Sequence, residues 1–369
     1  MKKVLFFIPT LGQGGAEKVL VNLVNNMDKS KYDVTVQVLF DGGVNTQFLN
    51  KDVKYKYVFK KILRGHVKLF KLFSPQALYK MFVKDKYDIA VAYLEGITSR
   101  IISGCNDEET KTVSWIHIEQ TTMENLATAF RSADEAKKCY ESFDNVICVS
   151  EYVQKDFTGI LDFSKHTEVL YNTNETEQIV EKSKEQAPIK TDDEYINICA
   201  MGTLCPRKGF DKLARIHKRL LDEGIKQRVY VLGRGAYKST LEAIIKENNI
   251  EDTFLLMGYD TNPYKYLRAC DLFVCSSEAE GFSTVVTESL IVGTPVVTTR
   301  CSGMEEQLGY NNEYGIVTDN NEQALYEGIK EMLTTEGYLE KYAEKALERG
   351  KSFNKEITVR AVEAMLEKL

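Results

Sequence analysis

Apolar residues fall along this chain in two alternating patterns, short unbroken runs and longer stretches at helical spacing. The run "KVLFFIP" (3–9) is uninterrupted, as in a parallel strand buried on both faces. After a glycine-rich turn, "AEKVLVNLVNNM" (16–27) places apolar residues three to four apart, which predicts a helix with one buried side. The same punctuation recurs: "DVTVQVLF", "DIAVAYL", "TVSWIHI" and "NVICVS" read as further strands with helical stretches between them. From about Thr173 to Glu194 the chain turns polar and charged, and this stretch reads as a connection between domains.

Beyond it the alternation restarts. "INICAMGTL", "RVYVLGRG", "TFLLMGY", "DLFVCSS", "TPVVTT" and "YGIVTD" predict strands, and "GFDKLARIHKRLLDEG", "LEAIIKENN", "NPYKYLRA" and "TVVTESLIVG" predict helices. The expectation is an α/β fold of two Rossmann-like, doubly wound parallel-sheet domains facing a central cleft. The first spans 1–175 and the second 176–350, with a terminal helix over 351–369 packing back toward the first. Ligands of such sheets bind at the carboxyl ends of the strands, so the loops after strands become the candidates.

With 369 residues the chain suits two domains, and a formal charge of −6 argues against a protein that coats nucleic acid. Its eight cysteines form no C-x-x-C pair and sit mostly in apolar runs, as buried free thiols of a reducing compartment. Two lysines before an apolar stretch imitate a signal peptide at the start, but Pro9 and the glycines cut it short, which predicts a cytosolic first strand.

In "SSEAEGFSTVVTESLIVGTPVVTT" (276–299), Glu280 falls in the loop after a buried strand and Glu288 about one turn into a helix that Ser283 caps and Gly293 closes. Free N–H groups of Ser283, Thr284 and Val285 at that helix start suit a phosphate. An exposed carboxylate beside such a site has a use if it grips sugar hydroxyls. The plainer alternative makes Glu280 a solvated loop charge and Glu288 a surface helix residue. In "MGTLCPRKGFDKL", Arg207 and Lys208 follow a strand end and can neutralise a departing diphosphate, or are solvent decoration. Gly14 and Gly15 let backbone approach a ligand ahead of the first helix, or mark only a tight turn. His117 ends a strand, as a functional group or a structural one. No D-x-D follows a strand, and Asp192 and Asp193 belong to the polar connection, so no obligatory metal is expected.

Residues 54–86 run against the net charge: they are rich in Lys and Arg, with apolar side chains interleaved. Such a surface suits an anionic membrane leaflet, with Lys60, Lys61, Arg64, Lys68 and Lys71 as its contacts. A nucleic-acid patch and a basic helix pair with core aromatics are the rivals.

These residues together resemble the retaining nucleotide-sugar glycosyltransferases of family 4, which have the GT-B fold. The likeness is densest from "MGTLCPRKGF" through "SSEAEGFSTVVTESL" to "CSGMEEQL", and Glu280 and Glu288 match the family's E-x7-E pattern. The resemblance implies that Glu280 contacts hydroxyls of the donor sugar, that the backbone of Gly281, Phe282 and Ser283 holds sugar and phosphate, and that Glu288 binds the ribose. It further implies that Lys208 and Gly15 meet the diphosphate, that His117 stands near sugar and acceptor, and that the backbone at Gly258 and Asn262 flanks the base. One position departs: where the family has Arg in G-R-L, this chain has Gly202-Thr203-Leu204, so either Arg207 compensates or the grip is weaker.

"YLEG", "WIH" and "NPY" resemble the subtype that builds bacterial capsule and exopolysaccharide. The expectation is therefore transfer of a hexose or N-acetylhexosamine from a UDP-linked sugar, as co-substrate and without a cofactor, to a lipid-linked glycan. The enzyme is expected in the cytoplasm, at the inner face of the membrane. A non-catalytic nucleotide-sugar-binding subunit and a GT-B epimerase or hydrolase are the alternatives. An NAD-dependent dehydrogenase would need a glycine fingerprint that this chain lacks.

Overall fold

A computed structural model describes residues 1–163, 165–190, 192 and 194–369; Asp193 lies outside the described residues. The chain divides into two compact units, one of Met1–Thr173 with Lys355–Leu369, the other of Asn174–Asn354.

The first unit is built on seven parallel strands: β1 (Lys2–Ile8), β2 (Tyr32–Phe40), β3 (Lys54–Phe59), β4 (Ile89–Ala92), β5 (Lys111–Ile116), β6 (Asn145–Cys148) and β7 (Thr167–Val169). They lie in the order β3-β2-β1-β4-β5-β6-β7. Every neighbouring pair is parallel, so each connection must cross back over a face of the sheet, usually as a helix. Val4 through Ile8 are fully buried because helices cover both faces at the centre. The helix Lys355–Lys368 belongs to this unit: Lys2 donates to the Leu366 carbonyl (2.8 Å) and the Asp28 amide to Glu363 (2.7 Å).

Six parallel strands make the second unit: β8 (Ile196–Met201), β9 (Gln227–Leu232), β10 (Phe254–Gly258), β11 (Leu272–Cys275), β12 (Val296–Thr299) and β13 (Ile316–Thr318). Their order, β10-β9-β8-β11-β12-β13, repeats the arrangement of the first six. One face is filled by Phe210, Leu213 and Ile216 of the helix Phe210–Asp222 and by Leu325 and Ile329. The other carries Leu267, Val286, Leu290 and Met304. In both units the strand order reverses once, between β1 and β4 and between β8 and β11. Loops diverge at such a point and leave a crevice at the carboxyl edge.

Three elements differ from expectation. Thr176–Ser183, read as part of a polar connection, is a helix of the second unit, and Ile179 and Ser183 are buried. Its apolar positions are too few for periodicity to outweigh the charges between them. Residues 54–59, read as part of a basic surface, are edge strand β3, where Lys54 pairs with Asp33. An edge strand is covered only in part, and none of the six residues here is fully buried, so lysines stand among its apolar positions. The three-residue β7 is too short to leave a pattern.

Candidate functional site

The crevice of the second unit opens where β8 and β11 end. After β8, Cys205 enters a 3-10 turn, Pro206–Lys208, and Gly209 (φ 61°) turns the chain into the next helix. A side chain at Gly209 would sit 2.2 Å from the Ser276 carbonyl, so the loop after β11 packs directly on this turn. Backbone and hydroxyl bonds join the two: Glu278 N–H donates to the Arg207 carbonyl (2.8 Å), and Ser276 Oγ to the Lys208 carbonyl (2.8 Å). Farther along, Ser302 donates to the Glu280 carbonyl and Asn320 to that of Glu278 (2.8 Å). A loop held at that many points is preorganised for a ligand.

Lys208 and Glu280 meet here. They are 72 residues apart in sequence, yet the ammonium and carboxylate form an ion pair, with side chains 18% and 13% exposed. Ser277 Oγ donates to the same carboxylate (2.7 Å). Burial works against the Lys208 charge, but the attraction of Glu280 outweighs it and holds the ammonium above its ordinary pKa. Glu280 is thus neither exposed nor a solvated loop charge. An ammonium has three donors and a carboxylate about four acceptor sites, so both keep capacity for a ligand.

The helix Thr284–Val292 starts at this loop, capped by Ser283 and closed by Gly293 (φ 84°). The Ser283 N–H, expected to be free, donates instead to Gln307 Oε1 (3.2 Å). Gln307 is fully buried and also donates to the Ser283 carbonyl (2.8 Å) and to Thr287 Oγ1 (2.7 Å). Nothing local in the sequence signals this brace. Glu288 is 2% exposed, so it is not a surface helix residue. Phe282 is buried against Phe353, and the Gly281 carbonyl lies under Gly303. Thr203 and Arg207 are exposed beside the crevice. Gly258 (φ 76°) ends β10. The Asn262 side chain donates to the Lys182 carbonyl (2.9 Å), tying the helix Thr176–Ser183 in place.

Gly14, Gly15 and His117 belong to the first unit. Gly14 precedes the helix Gly15–Asn26, in the turn after β1. The buried side chain of Asn45 donates to the Gly12 carbonyl and braces that turn. Beside it, burial pushes the Glu17 carboxyl upward. His117 follows β5, with its amide bonded to Glu95 (2.8 Å) and its ring against Tyr93 (4.7 Å between centroids). Burial pushes its pKa down to about 3, so the imidazole is neutral at physiological pH.

Of the five basic residues, Lys60, Lys61, Arg64 and Lys68 are exposed and Lys71 is half-buried. Apolar side chains of this region divide: half-buried Phe59 packs on buried Phe70 and Phe82, while Ile62, Leu69 and Leu72 are 65%, 47% and 74% exposed. The fully buried Arg100, paired with Glu135, donates to the carbonyls of Phe70 (2.9 Å) and Phe73 (2.7 Å) and fixes the segment. Among the described residues, no helix is long and apolar enough to cross a membrane, and no group of three or more His, Cys, Asp or Glu is placed to hold a metal ion.

Two parallel α/β units with a crevice at the strand ends define the GT-B architecture, and solved structures agree. Sucrose-phosphate synthase from Thermosynechococcus elongatus shares the fold at a TM-score of 0.81, with 15% identity over 100% of this chain and 99% of that one. Anabaena HepE in complex with UDP and glucose does so at 0.77, with 18% identity over 100% of both chains. Family models divide the chain between them: residues 13–178 match Glycosyltransferase Family 4, and residues 180–349 match Glycosyl transferases group 1. The chain belongs to the family 4 type of GT-B glycosyltransferases. Among curated relatives is the N-acetylgalactosamine-N,N'-diacetylbacillosaminyl-diphospho-undecaprenol 4-alpha-N-acetylgalactosaminyltransferase of Campylobacter jejuni, 29% identical over 96% of both chains. Another is the lipopolysaccharide core biosynthesis glycosyltransferase LpsE of Rhizobium meliloti, 22% identical over 83% of this chain and 81% of that one.

Proposed function

We propose that this chain transfers a hexose or N-acetylhexosamine from a UDP-linked donor to a lipid-linked glycan, with retention at the anomeric carbon and without a metal ion. The observation that carries the reading is the shielded Lys208–Glu280 pair at the strand-order reversal of the second unit. It sets a hydroxyl acceptor and a phosphate-binding cation side by side, as a nucleotide sugar requires. The Campylobacter relative, whose name gives an acceptor on a diphospho-undecaprenol carrier, supports a lipid-linked acceptor. Anabaena HepE, solved with UDP and glucose, supports a UDP-linked donor.

In this reading Glu280 accepts hydrogen bonds from sugar hydroxyls and Lys208 donates to the leaving diphosphate. The bond from the anomeric carbon to the phosphate oxygen breaks as the acceptor oxygen attacks from the same face, and the departing phosphate oxygen takes the acceptor's proton. His117, being neutral, contributes a hydrogen bond rather than a charge. Lys60, Lys61, Arg64, Lys68 and Lys71, with Ile62, Leu69 and Leu72 among them, face the anionic inner leaflet.

The test is transfer from a panel of nucleotide sugars to a lipid diphosphate-linked glycan, with EDTA present and the product's anomeric configuration read by NMR. Transfer with retained configuration is expected, and Lys208→Ala should lower turnover roughly ten- to a thousandfold. An inverted product sinks retention, loss in EDTA restored by magnesium sinks metal independence, and no transfer from any donor sinks the reading. Replacing the five cations with glutamine should abolish sedimentation with phosphatidylglycerol vesicles; unchanged binding removes them as the contact.

A further inference from the structure

Lys208 is charge-balanced by Glu280, so this pair alone leaves a bound diphosphate largely uncompensated. We infer that Arg234, in the loop after β9, is the second cation that grips the diphosphate, serving from that loop in place of the uncharged Thr203. The inference deepens the donor reading above and rests on it.

The loops after β8 and β9 are joined backbone to backbone. Gly202 N–H donates to the Leu232 carbonyl (3.0 Å), Leu204 N–H to that of Arg234 (3.1 Å) and Tyr237 N–H to that of Leu204 (3.1 Å). A Cβ on Gly233 would lie 1.8 Å from the Gly202 carbonyl oxygen, and one on Gly235 2.2 Å from that of Leu204. The two loops therefore touch through glycine. Arg234, between those glycines, is exposed beside position 203. Its guanidinium stands over the ring of Tyr259, 4.9 Å from the centroid, at the end of β10. That ring gives the planar cation a flat face to rest on.

Arg207 is the rival for this role. It sits on a 3-10 turn with Lys208, where successive side chains diverge by about 120°. Lys208 turns over Gly202 into the crevice, its Cε 3.2 Å from where a Cβ of Gly202 would be, so Arg207 is directed elsewhere. A guanidinium also offers two parallel donors to a phosphate, which suits a diphosphate better than a second ammonium does.

The experiment is calorimetric titration of UDP, GDP and ADP into the wild type, then of the tightest diphosphate and its monophosphate into Arg234→Ala and the double variant Thr203→Arg/Arg234→Ala. Arg234→Ala should lose roughly ten- to a hundredfold in diphosphate affinity, with a much smaller loss for the monophosphate and an unshifted melting midpoint. The double variant should recover most of the loss. Wild-type affinity in Arg234→Ala overturns the inference. Equal losses for both nucleotides overturn it too, since they place the residue at the base or ribose, and failure of the double variant to recover overturns the exchange of positions. A wild type that binds none of the three diphosphates takes down the donor reading itself, which none of the other outcomes does.

Discussion

If the Lys208–Glu280 pair governs the second unit's crevice, a double-mutant cycle on it has a calculable outcome. The variants are Lys208→Met, Glu280→Gln and both together, each keeping side-chain length. Two unit charges about 3 Å apart at an effective dielectric constant of about 20 attract by roughly 5 kcal/mol before desolvation is subtracted. The side chains are 18% and 13% exposed, so desolvation cancels much of this but not all. Each single variant should cost about 2–3 kcal/mol, because it strands the other partner in a poorly hydrated place. The double variant should cost about as much as one single variant, giving a coupling of about 1.5–3 kcal/mol. Urea unfolding measures it, with one precaution: the only tryptophan, Trp115, belongs to the first unit, so its fluorescence follows that unit, and the second is read from the part of the circular-dichroism change that fluorescence does not share. Additive single variants, with coupling below about 0.5 kcal/mol, would show that the two groups do not meet in solution and would refute the charge argument.

Other residues give separate tests. Burial holds the His217 imidazole down to about 4, between Gln227 and Thr253, whereas an unfolded histidine titrates near 6.5. Because the unfolded chain binds the proton first, this stability is complete above about pH 6.5 and declines as pH falls toward 4. About 2 kcal/mol of His217's contribution should be lost between pH 7.5 and 5, on top of a similar share from His117, and His217→Gln should make that part of the curve shallower by about that amount; an unchanged slope would contradict it. Gln307→Leu strands the Ser283 N–H and carbonyl and should cost about 2–4 kcal/mol in chemical denaturation; a loss under about 0.5 kcal/mol would mean the brace is idle. Gly209→Ala meets the Ser276 carbonyl at a left-handed φ of 61°. It should lower the second unit's melting midpoint by several degrees, and an unshifted midpoint would argue against the close packing of the two loops.

Strands of the second unit were legible because each is a run of apolar residues between turn signals, and all six stand where the pattern puts them. In the first unit the pattern fails at β3, a half-covered edge strand with lysines among its apolar residues, and at β7, which is too short. Individual site residues were legible as types in loops after strands. Their pairing was not: Lys208 and Glu280 find each other only because β8 and β11 are neighbours in the sheet. Gln307 was invisible for the same reason. A glutamine inside "MEEQLG" carries no local sign of being fully buried, and its role exists only once the helix it braces has folded.

The helix Lys355–Lys368 gives the molecule an order of assembly. Residues 1–173 leave the ribosome first, but Lys2, Asp28 and Tyr32 bond to a helix made only after the whole of 174–354. The second unit is an uninterrupted stretch that can close on itself during synthesis. The first must wait, at about 5–20 residues per second, for roughly ten seconds or more after its own sheet has emerged. Over that interval Tyr32 and its neighbours are bare of their last covering, so a stalled or shortened chain would compromise the part of the protein made earliest.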